Sequence, residues 1–128
     1  MSTTPITDAD AAIFGLDRAA LDAYPDGVIT LARDGTVKRY NKAEAELARR
    51  NQGDTLGLNF FTDVAPCTAV QDFKGRFDAF AAKPGSGVER FDFKFRFAWG
   101  HQDVGITMIR KDGADDINIL VAKHSKNA

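Results

Sequence analysis

The clearest pattern of hydrophobic and polar positions lies in residues 88 to 99, which read VERFDFKFRFAW. Every odd position from Phe91 to Trp99 is aromatic, and every even position from Arg90 to Arg96 is charged. Side chains of a β-strand alternate between its two faces, so a period of two gathers the rings on one side. The pattern predicts a long strand whose aromatic face must be covered by other parts of the chain.

Four shorter runs rich in β-branched and apolar residues predict the other strands. The turn-forming residues 33 to 35 separate the first two runs, which are therefore expected to form a hairpin. Further turns are predicted near residues 100 to 103 and at residues 112 to 116. The four runs are VITLA (28 to 32), TVKRY (36 to 40), VGITMIRK (104 to 111) and INILVAK (117 to 123).

Helix signals precede the first strand. Thr7 and Asp10 form a capping-box pattern that predicts a short helix over residues 8 to 13. Asp17 can cap a second helix over residues 18 to 24, which the following PDG sequence ends.

Two more helices are predicted between the strands. Asn41 can cap the first, in residues 41 to 51, because this stretch is rich in good helix formers. The second follows the cysteine and ends at residues 84 to 87, PGSG. Its apolar residues recur at spacings of three and four, which predicts one buried stripe of Val70, Phe73, Phe77 and Phe80.

This order of elements indicates an α+β fold. The two strand groups can join into one five-stranded antiparallel sheet, with helices on its aromatic face. We expect residues 1 to 25 to form an N-terminal helical cap and residues 26 to 128 to form the core of a single domain. The arrangement resembles a PAS domain, a fold that holds a small ligand or cofactor between its helices and its sheet.

Composition narrows the classes of function. The formal net charge is −1, which gives no electrostatic case for binding nucleic acid or an anionic membrane. No apolar run approaches the roughly 20 residues of a membrane helix, and the N-terminus lacks the features of a secretory signal. The single cysteine excludes an internal disulfide, and these features together favour the cytoplasm. His101 and His124 form no recognisable ligand spacing with it, so no metal site is expected.

Three stretches resemble the photoactive yellow protein family: NFFTDVAPCT (59 to 68), YNKAE (40 to 44) and the phenylalanine-rich strand. The similarity extends from about residue 26 to about residue 123. It implies that Cys67 carries 4-hydroxycinnamic acid (p-coumaric acid) as a covalent thioester. It also implies that the chromophore pocket is lined by Ile29, Phe60, Val64, Ala65, Thr68, Phe95, Phe97 and Trp99.

Cys67 also has a plain interpretation, because a lone thiol among apolar residues is often a small, inert hydrophobic residue. A thioester requires a nucleophilic thiol, and the thiolate is the reactive form. We expect a helix that begins just after Cys67 to favour the thiolate through its N-terminal dipole, while Pro66 fixes the chain direction.

The resemblance implies that Tyr40 and a protonated Glu44 donate hydrogen bonds to the phenolate of the chromophore, and that Arg50 is its lid. Each assignment has an alternative. Residues 41 to 44 match a capping box, in which Glu44 would be exposed and ionised. Tyr40 would then end its strand with its hydroxyl in solvent, and Arg49 and Arg50 would close a polar helix end.

Two residues depart from the family pattern. Ala48 stands where the family often has a threonine whose hydroxyl supports the tyrosine. Trp99 stands where the family often has a methionine that assists the return to the dark form. Neither change removes the attachment site, but both are expected to alter spectral tuning and recovery.

The implied function is a blue-light photoreceptor, which signals through photoisomerisation, proton transfer from Glu44 and partial unfolding. Such a protein is a switch rather than an enzyme, and we expect a monomer or weak dimer with an unknown downstream signalling protein as its partner. The alternative is a PAS sensor or interaction module that binds a different non-covalent ligand or a protein partner, with Cys67 incidental. A cysteine hydrolase is a third class, but neither histidine lies near Cys67 in the sequence.

Overall fold

The computed structural model describes residues 16–83, 85–97, 99–111 and 115–123. In this part of the chain, three α-helices and five β-strands follow one another in the order of the sequence. They are α1 (Arg18–Ala23), β1 (Gly27–Leu31), β2 (Val37–Tyr40), α2 (Lys42–Ala48), α3 (Arg76–Ala82), β3 (Gly87–Phe97), β4 (Gly100–Arg110) and β5 (Ile117–Lys123). The helix predicted over residues 8 to 13 lies outside the described residues.

The five strands form one antiparallel sheet in the order β2-β1-β5-β4-β3. The first two strands pair as the predicted hairpin, with Ile29 opposite Tyr40. The last strand joins this hairpin to the other one, because β5 pairs with β1 on one side and with β4 on the other. The predicted α+β fold with a five-stranded antiparallel sheet is therefore confirmed.

Strand β4 begins earlier in the chain than the sequence predicted. Phe97 pairs with Gly100 and Arg96 pairs with His101, so residues 100 to 103 belong to β4 rather than to a turn. Gly100 has a φ of 152°, in the region that favours glycine, and this allows the chain to reverse close to Trp99.

The predicted aromatic face of β3 is confirmed, and Phe73 lies at its centre. The ring of Phe73 is completely buried. Five other rings lie with their centroids 5.1 to 6.3 Å from it: Phe60, Phe61, Phe91, Phe93 and Phe95. Aromatic rings bury large areas and favour edge-to-face contacts, so this cluster makes the cover of the sheet specific as well as apolar.

The helix after the cysteine is shorter than predicted. A wide turn over Gln71–Gly75 precedes α3, and the Gly75 N–H donates to the carbonyl of Val70. Val70 itself has an extended conformation and is 48% exposed, so its place in the buried stripe was a wrong prediction. Phe73, Phe77 and Phe80 are buried as expected.

Helix α1 covers the opposite face of the sheet. Asp17 caps it by accepting a hydrogen bond from the Ala20 N–H, as predicted. Leu21 packs in a second cluster with Val28 and Ile109, whose side chains point away from the aromatic face. In the part of the chain that the structure describes, no helix is long and apolar enough to cross a bilayer.

We predict that Phe73→Ala lowers the free energy of unfolding by about 3–5 kcal/mol, because it leaves a cavity among five rings. Val70→Ala is the control, since it lies only three residues away but is largely exposed, and its effect should be within about 0.5 kcal/mol. Urea unfolding of both variants measures the difference. Equal losses of stability would show that Phe73 is not central to the core.

Candidate functional site

A tyrosine and a glutamate lie together where β2 passes into α2. Tyr40 ends the strand and Glu44 lies in the first turn of the helix, and their exposed fractions are 4% and 2%. Within the described residues, Tyr40 Oη and Glu44 Oε1 are buried without a hydrogen-bond partner. Buried polar atoms are nearly always paired in folded proteins, so two such atoms in neighbouring residues mark a candidate binding site.

The turn between the two elements explains why both side chains point inward. Asn41 caps α2 by accepting a hydrogen bond from the Glu44 N–H at 3.1 Å. The Asn41 N–H donates to the carbonyl of Val28 and is not bonded to the carboxyl of Glu44. The reciprocal capping box, with an exposed and ionised Glu44, is therefore the wrong alternative, and so is a solvent-exposed Tyr40 hydroxyl.

Burial keeps both groups protonated. It raises the pKa of Glu44 to about 8, and the positive charge of Lys123 opposes this rise. Burial also raises the pKa of Tyr40 well above its ordinary value, with the charge that Glu44 acquires once it ionises adding to the effect and Arg50 opposing it. At neutral pH each side chain therefore has a proton to donate.

Gly27 makes room for the carboxyl group of Glu44. A Cβ atom on Gly27 would overlap Glu44 Oε1 and would come within 3.2 Å of the side chain of Val121. Any larger residue at the start of β1 would have to displace the carboxyl group.

Cys67 lies on a single 3₁₀ turn, Pro66–Thr68, and its side chain is half-buried. It packs against the same hydrophobic cluster that contains Tyr40. Its Sγ accepts a hydrogen bond from the Arg96 N–H at 3.5 Å. The predicted start of a helix just after Cys67 is wrong, because the wide turn that leads into α3 begins only at Gln71. The group that donates to the sulfur is instead a backbone N–H of β3.

Most of the predicted lining residues meet in this cluster. Its buried members include Ile29, Phe60, Val64, Ala65 and Phe95, and Phe97 packs against it. Thr68 is also buried, and its hydroxyl donates to the carbonyl of Ala65 at 2.6 Å. Trp99 is different, because it is 42% exposed and stacks on the outer side of Phe97.

The two arginines after α2 differ in their surroundings. Arg50 is exposed, and its charge acts on Tyr40. The guanidinium of Arg49 lies 4.0 Å from the ring centroid of Trp99. The contact of Arg49 with Trp99 has no signal in the sequence, because two consecutive arginines at a helix end cannot be distinguished by local pattern.

Asn41 has a wider role than capping. Its side chain accepts from the Val28 N–H at 2.8 Å and donates to the carbonyls of Leu21 at 2.8 Å and Asp26 at 2.9 Å. With the bond from Glu44, four hydrogen bonds tie α1, β1 and α2 to one buried amide. Asn41 predicted the helix cap from its local sequence. Its other partners, Leu21, Asp26 and Val28, are distant in the chain, so no local pattern predicted those hydrogen bonds.

The described residues contain no cluster of three or more histidine, cysteine or acidic side chains that could hold a metal ion. What they do contain is a thiol, a phenol and a neutral carboxyl group around one aromatic cluster. Such an arrangement can attach an acyl group and donate two hydrogen bonds to an acceptor.

Comparisons with known proteins relate the chain to one family. No protein-family model matches the chain. Photoactive yellow protein from Cereibacter sphaeroides is 33% identical over 116 residues, which cover 90% of this chain and 91% of that protein. The protein of the same name from Rhodothalassium salexigens is 34% identical over 116 residues, with 91% and 92% covered. The photoactive yellow protein domain of the sensor histidine kinase Ppr from Rhodospirillum centenum is similar in structure, with a TM-score of 0.81, 38% identity and coverage of 88% of this chain and 98% of that domain.

We predict that stability falls as the pH rises from about 4.5 to about 8, because the folded state binds the Glu44 proton more tightly than the unfolded state does. The stabilisation is complete below pH 4.5 and is lost as the pH passes the folded-state pKa of about 8. Glu44→Gln cannot ionise and should flatten this part of the profile. Urea unfolding across the pH range measures it, and parallel profiles for the two proteins would contradict the assignment.

Proposed function

Because the chain belongs to the photoactive yellow protein family, we propose that it is a blue-light photoreceptor that carries 4-hydroxycinnamic acid as a thioester on Cys67. The observation that carries this proposal is the pair of buried, partnerless atoms, Tyr40 Oη and Glu44 Oε1. They lie beside the cluster against which Cys67 packs.

The two atoms fit the phenolic end of such a group. Leaving a buried polar group unpaired costs about 1–3 kcal/mol, so an acceptor from outside the chain would stabilise the site. Tyr40 and Glu44 both have protons to donate, and one phenolate oxygen can accept both. Donation from Glu44 and Tyr40 would favour the charged form of the phenol in a buried place.

The bound group would supply a double bond that blue light isomerises and an oxygen that accepts hydrogen bonds. Cys67 would supply the sulfur of the thioester, and the Arg96 N–H lies beside that sulfur. The rings of Phe60, Phe95 and Phe97 would keep water away from the attached group.

The response to light is proposed to depend on the proton of Glu44. Loss of that proton leaves a carboxylate in a position that is 2% exposed, which is costly without a close partner. The backbone of Glu44 is bonded to Asn41, and Asn41 is bonded to α1 through the carbonyl of Leu21. We therefore expect the strain to reach α1, the element proposed to loosen and to be recognised by a signalling protein.

The family consists of photoreceptors and is not a known class of enzyme. A cysteine hydrolase would need a base close to the thiol. In the part of the chain described, the hydrogen bond to Cys67 Sγ comes from a backbone N–H, and His101 is an exposed residue of β4. These observations support a switch rather than a catalyst.

We predict that the protein gains the mass of one 4-hydroxycinnamoyl group when it is incubated with an activated 4-hydroxycinnamate. A visible absorption band should appear at the same time, and both should be absent in Cys67→Ala, which has no thiol. Circular dichroism controls for folding of the variant. A yellow Cys67→Ala protein that keeps its label after denaturation would exclude Cys67 as the attachment site, and a folded native protein that gains no mass would favour a PAS module with another ligand.

We predict that illumination of the reconstituted protein removes the infrared band of a protonated carboxyl group. Glu44 is the expected source, because it is buried and neutral. The band should be missing from the light-minus-dark spectrum of Glu44→Gln, with Glu46→Gln as a control because Glu46 is exposed on the same helix. If the band persists in Glu44→Gln, another group donates the proton.

A further inference from the structure

A stack of side chains lies at one edge of the aromatic cluster that contains Tyr40. The ring of Trp99 is nearly parallel to that of Phe97, with centroids 5.0 Å apart and an angle of 12°. Phe97 in turn lies 5.4 Å from the buried ring of Phe95. The guanidinium of Arg49 lies over the ring of Trp99, 4.0 Å from its centroid. The stack therefore extends from the end of α2 to the wall of the cluster that holds Tyr40.

The backbone explains why Arg49 rather than Arg50 reaches Trp99. Arg49 ends α2 with a φ of 55°, and it is the only non-glycine residue with positive φ in the described part of the chain. This left-handed conformation is unfavourable for residues with a side chain, so local interactions must hold it. The Arg50 N–H donates to the carbonyl of Ala45 at 2.9 Å, which closes the helix and directs the two arginines differently.

We propose that Arg49 is a positioning residue that holds Trp99 over the edge of the site and so limits access to Tyr40. The inference rests on the proposed function only for the identity of the bound group. The geometry of Arg49 and Trp99 is independent of that identity. The proposal assigns the control of access to Arg49, whereas the family resemblance implies that Arg50 is the lid. Arg49 acts here through the indole of Trp99 and does not itself contact Tyr40 or Glu44 in any hydrogen bond of the described residues.

The contact between Arg49 and Trp99 is strong enough to favour the closed position of Trp99 and weak enough to let Trp99 move away. An exposed cation–π contact changes an equilibrium by about two- to fivefold. Arg49 and Trp99 are both exposed at the surface, so the contact belongs to this class. We therefore expect loss of the Arg49 charge to increase opening of the edge by a similar factor.

Nitration by tetranitromethane tests this in the chain before any chromophore is attached. The protein has two tyrosines, and Tyr24 is an internal reference because it lies in the separate cluster beneath α1. Peptide mass spectrometry gives the ratio of nitration at Tyr40 to that at Tyr24. We expect Arg49→Gln to raise the ratio about two- to fivefold, and Arg50→Gln, the matched control, not to raise it.

The direction of the change in the nitration ratio distinguishes easier access to Tyr40 from an electrostatic effect of the lost charge. Tetranitromethane reacts with the phenolate. The charge of Arg50 lowers the pKa of Tyr40, so its removal disfavours the phenolate, and removal of the Arg49 charge cannot favour it. An increase in Arg49→Gln therefore reports easier access. No increase in Arg49→Gln, or an equal increase in Arg50→Gln, would overturn the proposal.

Two further measurements test the route through Trp99. Trp99 is the only tryptophan, so acrylamide quenching of its fluorescence should increase in Arg49→Gln and not in Arg50→Gln. Trp99→Leu should raise the nitration ratio, and adding Arg49→Gln to it should have no further effect, because both changes remove the same closure. Additive effects would show that Arg49 does not act through Trp99. Since all these measurements use the unloaded chain, a failure to attach 4-hydroxycinnamate would contradict the proposed function without affecting this result.

Discussion

The buried amide of Asn41 is the interaction on which the rest of the site depends. It is 1% exposed and forms four hydrogen bonds, two as acceptor and two as donor. A side-chain amide has this full capacity only when both ends are correctly oriented, so the bonds fix the turn between β2 and α2 in one conformation. That conformation turns Tyr40 and Glu44 toward the interior and leaves the carboxyl of Glu44 free of the helix cap.

A second constraint comes from the aromatic cluster. Rings on β3 and on the segment from Phe60 to Phe77 pack edge to face or tilted in one network that includes Phe73. Close-packed rings resist small displacements, so the walls beside Cys67 and Tyr40 are held more firmly than the exposed edge at Trp99. The site thus combines a rigid interior with one weakly held boundary.

The sequence predicted the features that depend on local patterns. The alternation from Phe91 to Phe97 defined β3 and its buried face, and Asp17 and Asn41 gave the correct caps. Prediction from the sequence failed where a backbone conformation interrupted the helical pattern, as at the extended Val70 and the left-handed Arg49. The burial of Glu44 came from the family resemblance, since the local sequence fits an exposed capping glutamate equally well. The partners of Asn41 and the N–H that faces Cys67 are distant in the chain, and no local pattern encodes them.

The strand order also determines when the sheet can be completed during synthesis of the chain. The two hairpins, β1 with β2 and β3 with β4, are each local in sequence, but β5 is the strand that joins them. Until residues 117 to 123 have been made, both hairpins expose an unpaired strand edge on the side where β5 will insert. The nascent chain therefore carries one hairpin until β3 and β4 have been made, and the sheet is completed only when β5 pairs with both hairpins.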